Sequence, residues 1–415
     1  MRILEAKAAI VTASALIMAL SCHLAGRVPA GLLARFRRFD VALLWLLARA
    51  FPIVAVYFIA GFAPESDVAT CFWPQAAGAA SGAVPYRDFE SFFGPLFPYL
   101  LAVPVLLWHD PRALILWLSL LEAGTIGLTA RAAGFGGAGV ERTRFVLCAF
   151  LAPGPLMFSV IGGQEDFLVW AAGLLTWLAI RNGREGLAGG VTTAAFLATK
   201  AVFLIPFAAF LGMVRSRPRY LAVLVPAGAA TLAILWFLTG RAFLGVLGQS
   251  GNVSPPQIWL LLHLVSAGWI PYGGTALSFI ALAATVLGAF AVGSSLAARL
   301  RSSWPAFAAA WVLVISVMCV LFPKGQGAYL AYLLLPALFF ALESPVYLAV
   351  WTVAGAIAAV EPSLFYRLGQ QKPAAFSQIQ GLPGFADIAL QAALVGALLW
   401  IAFQSWRFTR REVRP

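Results

Sequence analysis

Residues 201–239 read AVFLIPFAAFLGMVRSRPRYLAVLVPAGAATLAILWFLT. An apolar run over 201–214 and a second over 220–239 are separated by Arg215, Arg217 and Arg219. A helix needs about 20 apolar residues to cross a bilayer core, and short cationic loops mark the cytoplasmic side of such spans. The stretch therefore reads as two membrane helices joined by a basic turn. The rest of the chain repeats the pattern. Of its 415 residues 62% are hydrophobic and 11% are charged, and the mean hydropathy is +0.90. Its 38 Gly and 25 Pro would break soluble helices, but neighbouring helices in lipid can re-satisfy the freed backbone groups. The fold class expected is all-α, a polytopic transmembrane bundle over residues 1–415 with no separate soluble domain.

A formal net charge of +12 would suggest nucleic acid in a soluble chain, but here the cations report topology. Arg27, Arg35, Arg37 and Arg38 precede one apolar run, and Arg131, Arg142 and Arg144 separate two more. Arg181 and Arg184, then Arg215, Arg217 and Arg219, then Arg299 and Arg301 follow, and Arg407, Arg410, Arg411 and Arg414 end the chain. These loops and tails hold 18 of the 28 Lys and Arg, which assigns them to the cytoplasm. Alternation then gives spans near 7–25, 41–62, 112–130, 145–162, 167–180, 186–199, 201–214, 220–239, 275–297, 304–322, 328–342, 345–360 and 387–406. That makes 12 or 13 helices, because residues 1–39 hold a first helix that a signal peptide or surface helix could replace. A cleaved signal would leave the arginines after it outside, which disfavours that reading.

The remaining loops then face outward. They carry Glu65, Asp67, Asp88, Glu90, Asp110, Glu165, Asp166 and Glu361, half of the 16 acidic residues. A solvated loop charge needs no function, yet Asp67 and the Glu165–Asp166 pair lie within a turn or two of expected span ends, at the membrane surface. The first outer loop, 63–111, is rich in aromatics and broken by Pro85, Pro95, Pro98 and Pro104. Such sequence suits helices lying in the interface, polar side to water and apolar side to lipid.

Asp67, then GAVPYRDF (82–89), then FGPLFPYL (93–100) resembles the first extracytoplasmic loop of GT-C superfamily glycosyltransferases, membrane enzymes that use polyprenyl-phosphate sugars. Three further stretches are similar to the polyprenol-phosphate-mannose-dependent mannosyltransferases of glycosyltransferase family 87. They are SVIGGQEDFLVWAAGLLTWLAIRNGREGLAGGVTTAAFLATK from Ser159, SPPQIWLLLHLV from Ser254 and FPKGQGAYLAYLLLP from Phe322. The likeness runs from about Val41 onward and rests on the order and topological placement of the motifs. It implies Asp67 as catalytic base, an inverting reaction, and transfer of a hexose, with mannose the expected sugar, to a lipid or glycan acceptor outside the cell membrane. Chemically, a carboxylate within reach of an acceptor hydroxyl can take its proton as the glycosidic bond forms. Glu65 and Asp88 compete for that role.

Asp88, Glu165 and Asp166 are expected to position the loop or the acceptor, and paired carboxylates could also hold a divalent cation. Where family 87 commonly has Gly-Gln and a neutral residue, this chain has GQED, which leaves the metal open. The donor phosphate needs cations on the outer side. Lys200 lies between two short apolar segments, where an ammonium calls for an anion or must snorkel. Lys324 stands among glycines that would let a ligand approach the backbone. Arg87 is a third candidate, or the ion-pair partner of Asp88. Arg49 and Glu122 fall inside expected spans and could pair or line a cavity.

The four cysteines show no CxxC spacing, so no disulfide framework is expected, and the three histidines are too scattered for a zinc site. The chain has no glycine-rich nucleotide loop, which favours a lipid-linked donor. The arginines meet membrane lipid; no nucleic-acid partner is called for. A multispan transporter or lipid flippase is the alternative of a different class. It predicts functional charges deep between helices and weak internal repeats. A non-catalytic assembly subunit is a third reading.

Overall fold

The computed structural model describes residues 2–27, 39–64, 67–135, 140–245, 253–254, 256–325, 327–370 and 372–410. Glu65, Arg35, Arg37, Arg38, Arg411 and Arg414 lie outside them. In chain order the helices are α1 (Arg2–Ala25), α2 (Asp40–Ile59), α3 (68–80), α4 (Phe97–Leu107), α5 (Pro111–Ala132), α6 (Val140–Leu151) and α7 (Pro153–Ile161). Next come α8 (Phe167–Arg181), α9 (Glu185–Ala198), α10 (Ala201–Met213), α11 (Arg217–Thr239), α12 (Ile258–Val265) and α13 (Thr275–Ser295). The last five are α14 (Ala297–Ser302), α15 (Trp304–Leu321), α16 (Gly327–Ala341), α17 (Pro345–Arg367) and α18 (Gly381–Arg410).

Among the described residues eight helices are long and apolar enough to cross a bilayer, and nine if α6 and α7, bent by 48° at their junction, make one span. The chain is an all-helical membrane protein. All 13 expected segments fall on helices, but α8 and α9 have only 15 and 14 residues. At 1.5 Å per residue such helices reach about 20 Å, short of a hydrocarbon core of ~30 Å. With α10 and α16 they account for the difference between the 12 or 13 spans expected and the eight or nine long helices found.

Pro153 causes the bend. It cannot donate the N–H that Ala149 O would have received, and the chain turns at Ala152 into extended backbone. The carbonyls so released are met by Arg49 from α2, whose Nη1 donates to Phe150 O at 2.7 Å and whose Nη2 lies 3.5 Å from Ala149 O. Its charge is balanced by Glu122 of α5, with Nε to Oε2 at 2.7 Å and Nη2 to Oε1 at 3.0 Å. Arg49 is fully buried, and this fork pairs it with Glu122, the first of the two alternatives the sequence left open.

The main core lies between α8, α10 and α15. Trp170 and Trp177 pack with Trp304, Phe307 and Trp311, and Gly173 makes room because a Cβ there would sit 2.2 Å from the Trp311 ring. A second core forms under the first outer loop, where Phe72, Phe93 and Phe97 meet Ile53 and Tyr57 of α2 and Leu114 and Ile115 of α5. α4 buries Phe97, Leu101 and Val105 in this core and leaves Leu106 and Leu107 exposed; both sides are apolar, so the helix lacks the polar face expected of an interfacial one.

Loops segregate to two ends. At one, Arg142 pairs with Asp40 at 2.8 Å, the Glu185 carboxylate accepts the backbone N–H groups of Arg215 and Ser216, and Arg301 donates to Met213 O at 2.6 Å. At the other lie the first outer loop, the turn at 162–166, Lys200 and Lys324. The arginine loops and carboxylate loops that alternation separated are thus at opposite ends. Glu361 is a correction: expected in an outer loop, it is a fully buried residue of α17, because that helix runs through Pro362 to Arg367.

Candidate active site

Asp67 stands one residue before α3, and the turn opposite holds it in place. Helix α7 ends at Gly162, whose N–H meets Met157 O, and Gln164 N closes back on Phe158 O at 2.9 Å. Between them Gly163 adopts φ +54, and a Cβ on it would lie 2.4 Å from Val68 Cγ2. Only glycine satisfies both the left-handed backbone and this approach. Val68, wholly buried, is thereby seated on the turn. The Gln164 side chain donates Nε2 to Asp67 Oδ2 at 3.0 Å and to Gly162 O at 3.2 Å.

Glu165 and Asp166 follow in the same turn, both buried, and face Lys200. Lys200 Nζ donates to Asp166 Oδ1 at 2.7 Å and sits 2.6 Å from Glu165 Oε1, there as an ion contact outside hydrogen-bonding angles. Burial opposes its charge, but Asp166 and Glu165 outweigh that and hold the ammonium well above its usual value. Burial likewise pushes Glu165 up to about 7, against the opposing pull of Lys200. Phe93 and Tyr329 flank the ammonium, each ring centroid 5.3 Å away.

Lys200 is held in the extended break between α9 and α10 by the first outer loop. Gly94 N and Leu96 N donate to Thr199 O and Leu197 O at 2.7 and 2.8 Å. A Cβ at Gly94 would meet Phe196 O at 2.3 Å, so glycine is required for this docking. Three segments distant in sequence, around Asp67, Glu165 and Lys200, are in this way one cluster.

Arg87 and Asp88 stand apart from it. They pair with each other in an exposed turn, Nη2 to Oδ2 at 2.8 Å, and Asp88 also accepts Val84 N at 2.7 Å. The Arg87 hydrogen bonds, then that backbone N–H, hold the Asp88 carboxyl down at about 2. This is turn chemistry, and neither residue reaches the cluster through a contact among the described residues.

A backbone bridge ties the Lys324 segment to Ser254. Ser254 N donates to Pro323 O at 3.0 Å and Gly325 N to Ser254 O at 2.8 Å. The glycines serve packing, not ligand approach: Cβ atoms would lie 2.1 Å from Pro256 O at Gly325 and 2.6 Å from Ala358 O at Gly327. Burial first, then the charge of Lys200, push Lys324 below its ordinary value, while Asp67 acts in the opposite direction. Lys324 opens into a cavity of about 880 Å³, which Lys372, His263, Tyr272, Tyr366 and Gln370 also line. His263 Nδ1 lies 2.7 Å from Ile270 O and must carry the proton there, which leaves Nε2 for a partner. Lys372 Nζ stands 5.6 Å from the Tyr272 ring centroid.

The sequence offers no signal for Lys372, and His263 is one of three scattered histidines. Nor does it single out Gln164 or Gln257. Gln257, within the SPPQIW stretch, accepts Leu260 N at 3.0 Å to start α12 and donates to Tyr272 O at 3.0 Å, shaping the cavity wall. Among the described residues no group of three or more His, Cys, Asp or Glu is placed to hold a metal ion, and Lys200 takes the position a cation shared by Glu165 and Asp166 would need. Comparison of the chain with protein-family models, curated proteins and solved structures finds no match.

Proposed function

We propose that the protein is an inverting membrane glycosyltransferase of the GT-C type, with 12 or 13 spans once the short helices are included and its site on the outer face of the cell membrane. The donor is a polyprenyl-phosphate hexose, with mannose the expected sugar, and the acceptor is a lipid or glycan. The observation that carries this reading is one restrained carboxylate, Asp67, held by Gln164 in a fold that also builds a cavity lined by Lys324 and Lys372. Asp67 takes the acceptor hydroxyl's proton. The acceptor oxygen attacks the anomeric carbon from the face opposite the phosphate, and the carbon–phosphate-oxygen bond breaks. A β-linked donor gives an α-linked product. Gln164 orients the base by its hydrogen bond.

The donor phosphate is assigned to Lys324 and Lys372, since these two cations share one cavity and Lys324 has no ion-pair partner among the described residues. Lys200, expected to meet phosphate, is already shared by two carboxylates and is given a positioning role, as are Glu165 and Asp166. Arg87 and Asp88 are left as a turn-forming pair. A divalent cation is no part of these steps.

A transporter or flippase is kept as the second reading because of one observation. Glu361 of α17 and Asp387 of α18 are buried within helices, and Glu361 Oε1 and Oε2 and Asp387 Oδ1 meet no hydrogen-bond donor among the described residues. The test is an assay of purified protein with radiolabelled polyprenyl-phosphate sugars and a membrane lipid extract. Asp67→Asn should lower transfer about 100-fold or more while donor binding persists. Near-normal transfer in that variant would remove the base, and donor turnover absent from the native protein but lipid or solute movement present would favour the second reading.

A further inference from the structure

α1 lies at the edge of the fold, with Leu16, Ile17, Leu20 and Leu24 outward, and its inner side lies against α6. At that contact Cys22, in the last turns of α1, places Sγ 3.2 Å from Sγ of Cys148 on α6, and both thiols are free. Cys148 is wholly buried, whereas Cys22 is partly accessible. We propose that Cys22 and Cys148 are a redox-responsive thiol pair that closes to a disulfide between α1 and α6 when the protein meets a peroxide.

The geometry requires little movement. The sulfurs must approach by about 1 Å to reach the ~2.05 Å of a disulfide. The accessible thiol and the buried one also divide the chemistry. Cys22 sulfur attacks the peroxide, the O–O bond breaks, and a sulfenic acid and water result. Cys148 sulfur then attacks the Cys22 sulfur, the S–O bond breaks, and a second water leaves. Two thiols have lost two hydrogens and two electrons, all received by one peroxide. Arg144 supplies a positive charge at this contact, its guanidinium nitrogen lying 2.9 Å from where a Cβ on Gly26 would be. The end of α1 that holds the pair also leads to Arg27, the side the charge pattern gives to the cytoplasm, where thiols are ordinarily reduced. The bond is therefore a response to oxidant and not a constitutive link. Cys71 and Cys319 serve as internal controls, since neither meets another cysteine among the described residues.

The test treats the purified full chain with hydrogen peroxide, denatures it, alkylates free thiols with N-ethylmaleimide and reads the products by mass spectrometry. The expected result is a fall from four alkylated cysteines to two, a linked Cys22–Cys148 peptide, and return to four after dithiothreitol. Cys22→Ser and Cys148→Ser should each abolish the link, with Cys22→Ala and Cys148→Ala as replacements should a serine variant fold poorly. Four alkylated cysteines after peroxide, over-oxidation of Cys22 with Cys148 left free, or disulfides only between separate chains would each overturn the proposal.

Discussion

Lys200 and Lys324 look alike as residues, each a lone lysine between apolar runs, and the fold gives them opposite situations. Lys200 is neutralised by Asp166 and Glu165, whereas Lys324 faces a cavity under the repulsion of Lys200. Replacing each by Gln should separate them. Lys324→Gln loses one charge-assisted contact to the donor phosphate, worth ~1.5–3 kcal/mol, and should raise the donor Kd about 10- to 100-fold with little change in thermal stability. Lys200→Gln leaves two buried carboxylates uncompensated, which costs about 3–5 kcal/mol, and should lower the melting temperature and folded yield. Adding Asp166→Asn to Lys200→Gln should restore part of that stability. Equal donor binding in Lys324→Gln and native protein would return the phosphate to another site. Cys71, beside this cluster, needs no such role: burial first, then Asp67 and Glu165, push its thiol up to about 11, so it stays protonated.

At the scale of elements, the site depends on how helix ends are terminated. α7 stops at the Gly162–Gly163 turn, α9 stops at Thr199, and α3 starts at Asp67; each end is set by a glycine contact that no other residue can make. Gly163→Ala is the informative change, because a Cβ would enter the Val68 side chain and the backbone sits at φ +54. The left-handed conformation costs a non-glycine residue ~1–2 kcal/mol, and the collision must be relieved by moving α3 and with it Asp67. Transfer should fall about 10-fold or more while the bundle still folds, as judged by monodisperse elution in detergent. Gly124→Ala is the control: that glycine lies in α5 with nothing within 4 Å of its would-be Cβ and should behave as native. Equal activity in the two variants would mean that the turn does not position Asp67.

Across the whole molecule, the arginine loops and the carboxylate loops occupy opposite ends, and the sidedness of the membrane decides whether the site can meet an extracytoplasmic lipid donor. Ser81 in the first outer loop and Ser302 at the end of α14 are both exposed in the fold. In intact cells an impermeant maleimide should label a cysteine placed at Ser81 and spare one placed at Ser302. Labelling of Ser302→Cys alone would turn the protein over and remove the site from the outer face. Ser91, in the same outer loop, is unsuited to this test because it is buried, donating its hydroxyl to Gln75 Oε1 at 2.9 Å.

The sequence by itself determined that the chain is a helical membrane bundle, where its helices lie, and which loops share an end. Those properties follow from hydropathy and arginine placement, which act through lipid and water and are legible one segment at a time. The clustering of Asp67, Glu165 and Asp166 near one surface was legible for the same reason. Only the tertiary structure decided partners. That Lys200 is bound by two carboxylates, that Arg49 answers the carbonyls freed at Pro153, that Glu361 is inside a helix, and that His263 and Lys372 share a cavity with Lys324 all depend on contacts between residues far apart in the chain. So does the meeting of Cys22 with Cys148, 126 positions away, which no spacing rule could foresee. A lysine's meaning here is set by the anion that packing places within 3 Å of it, and packing is a property of the folded whole.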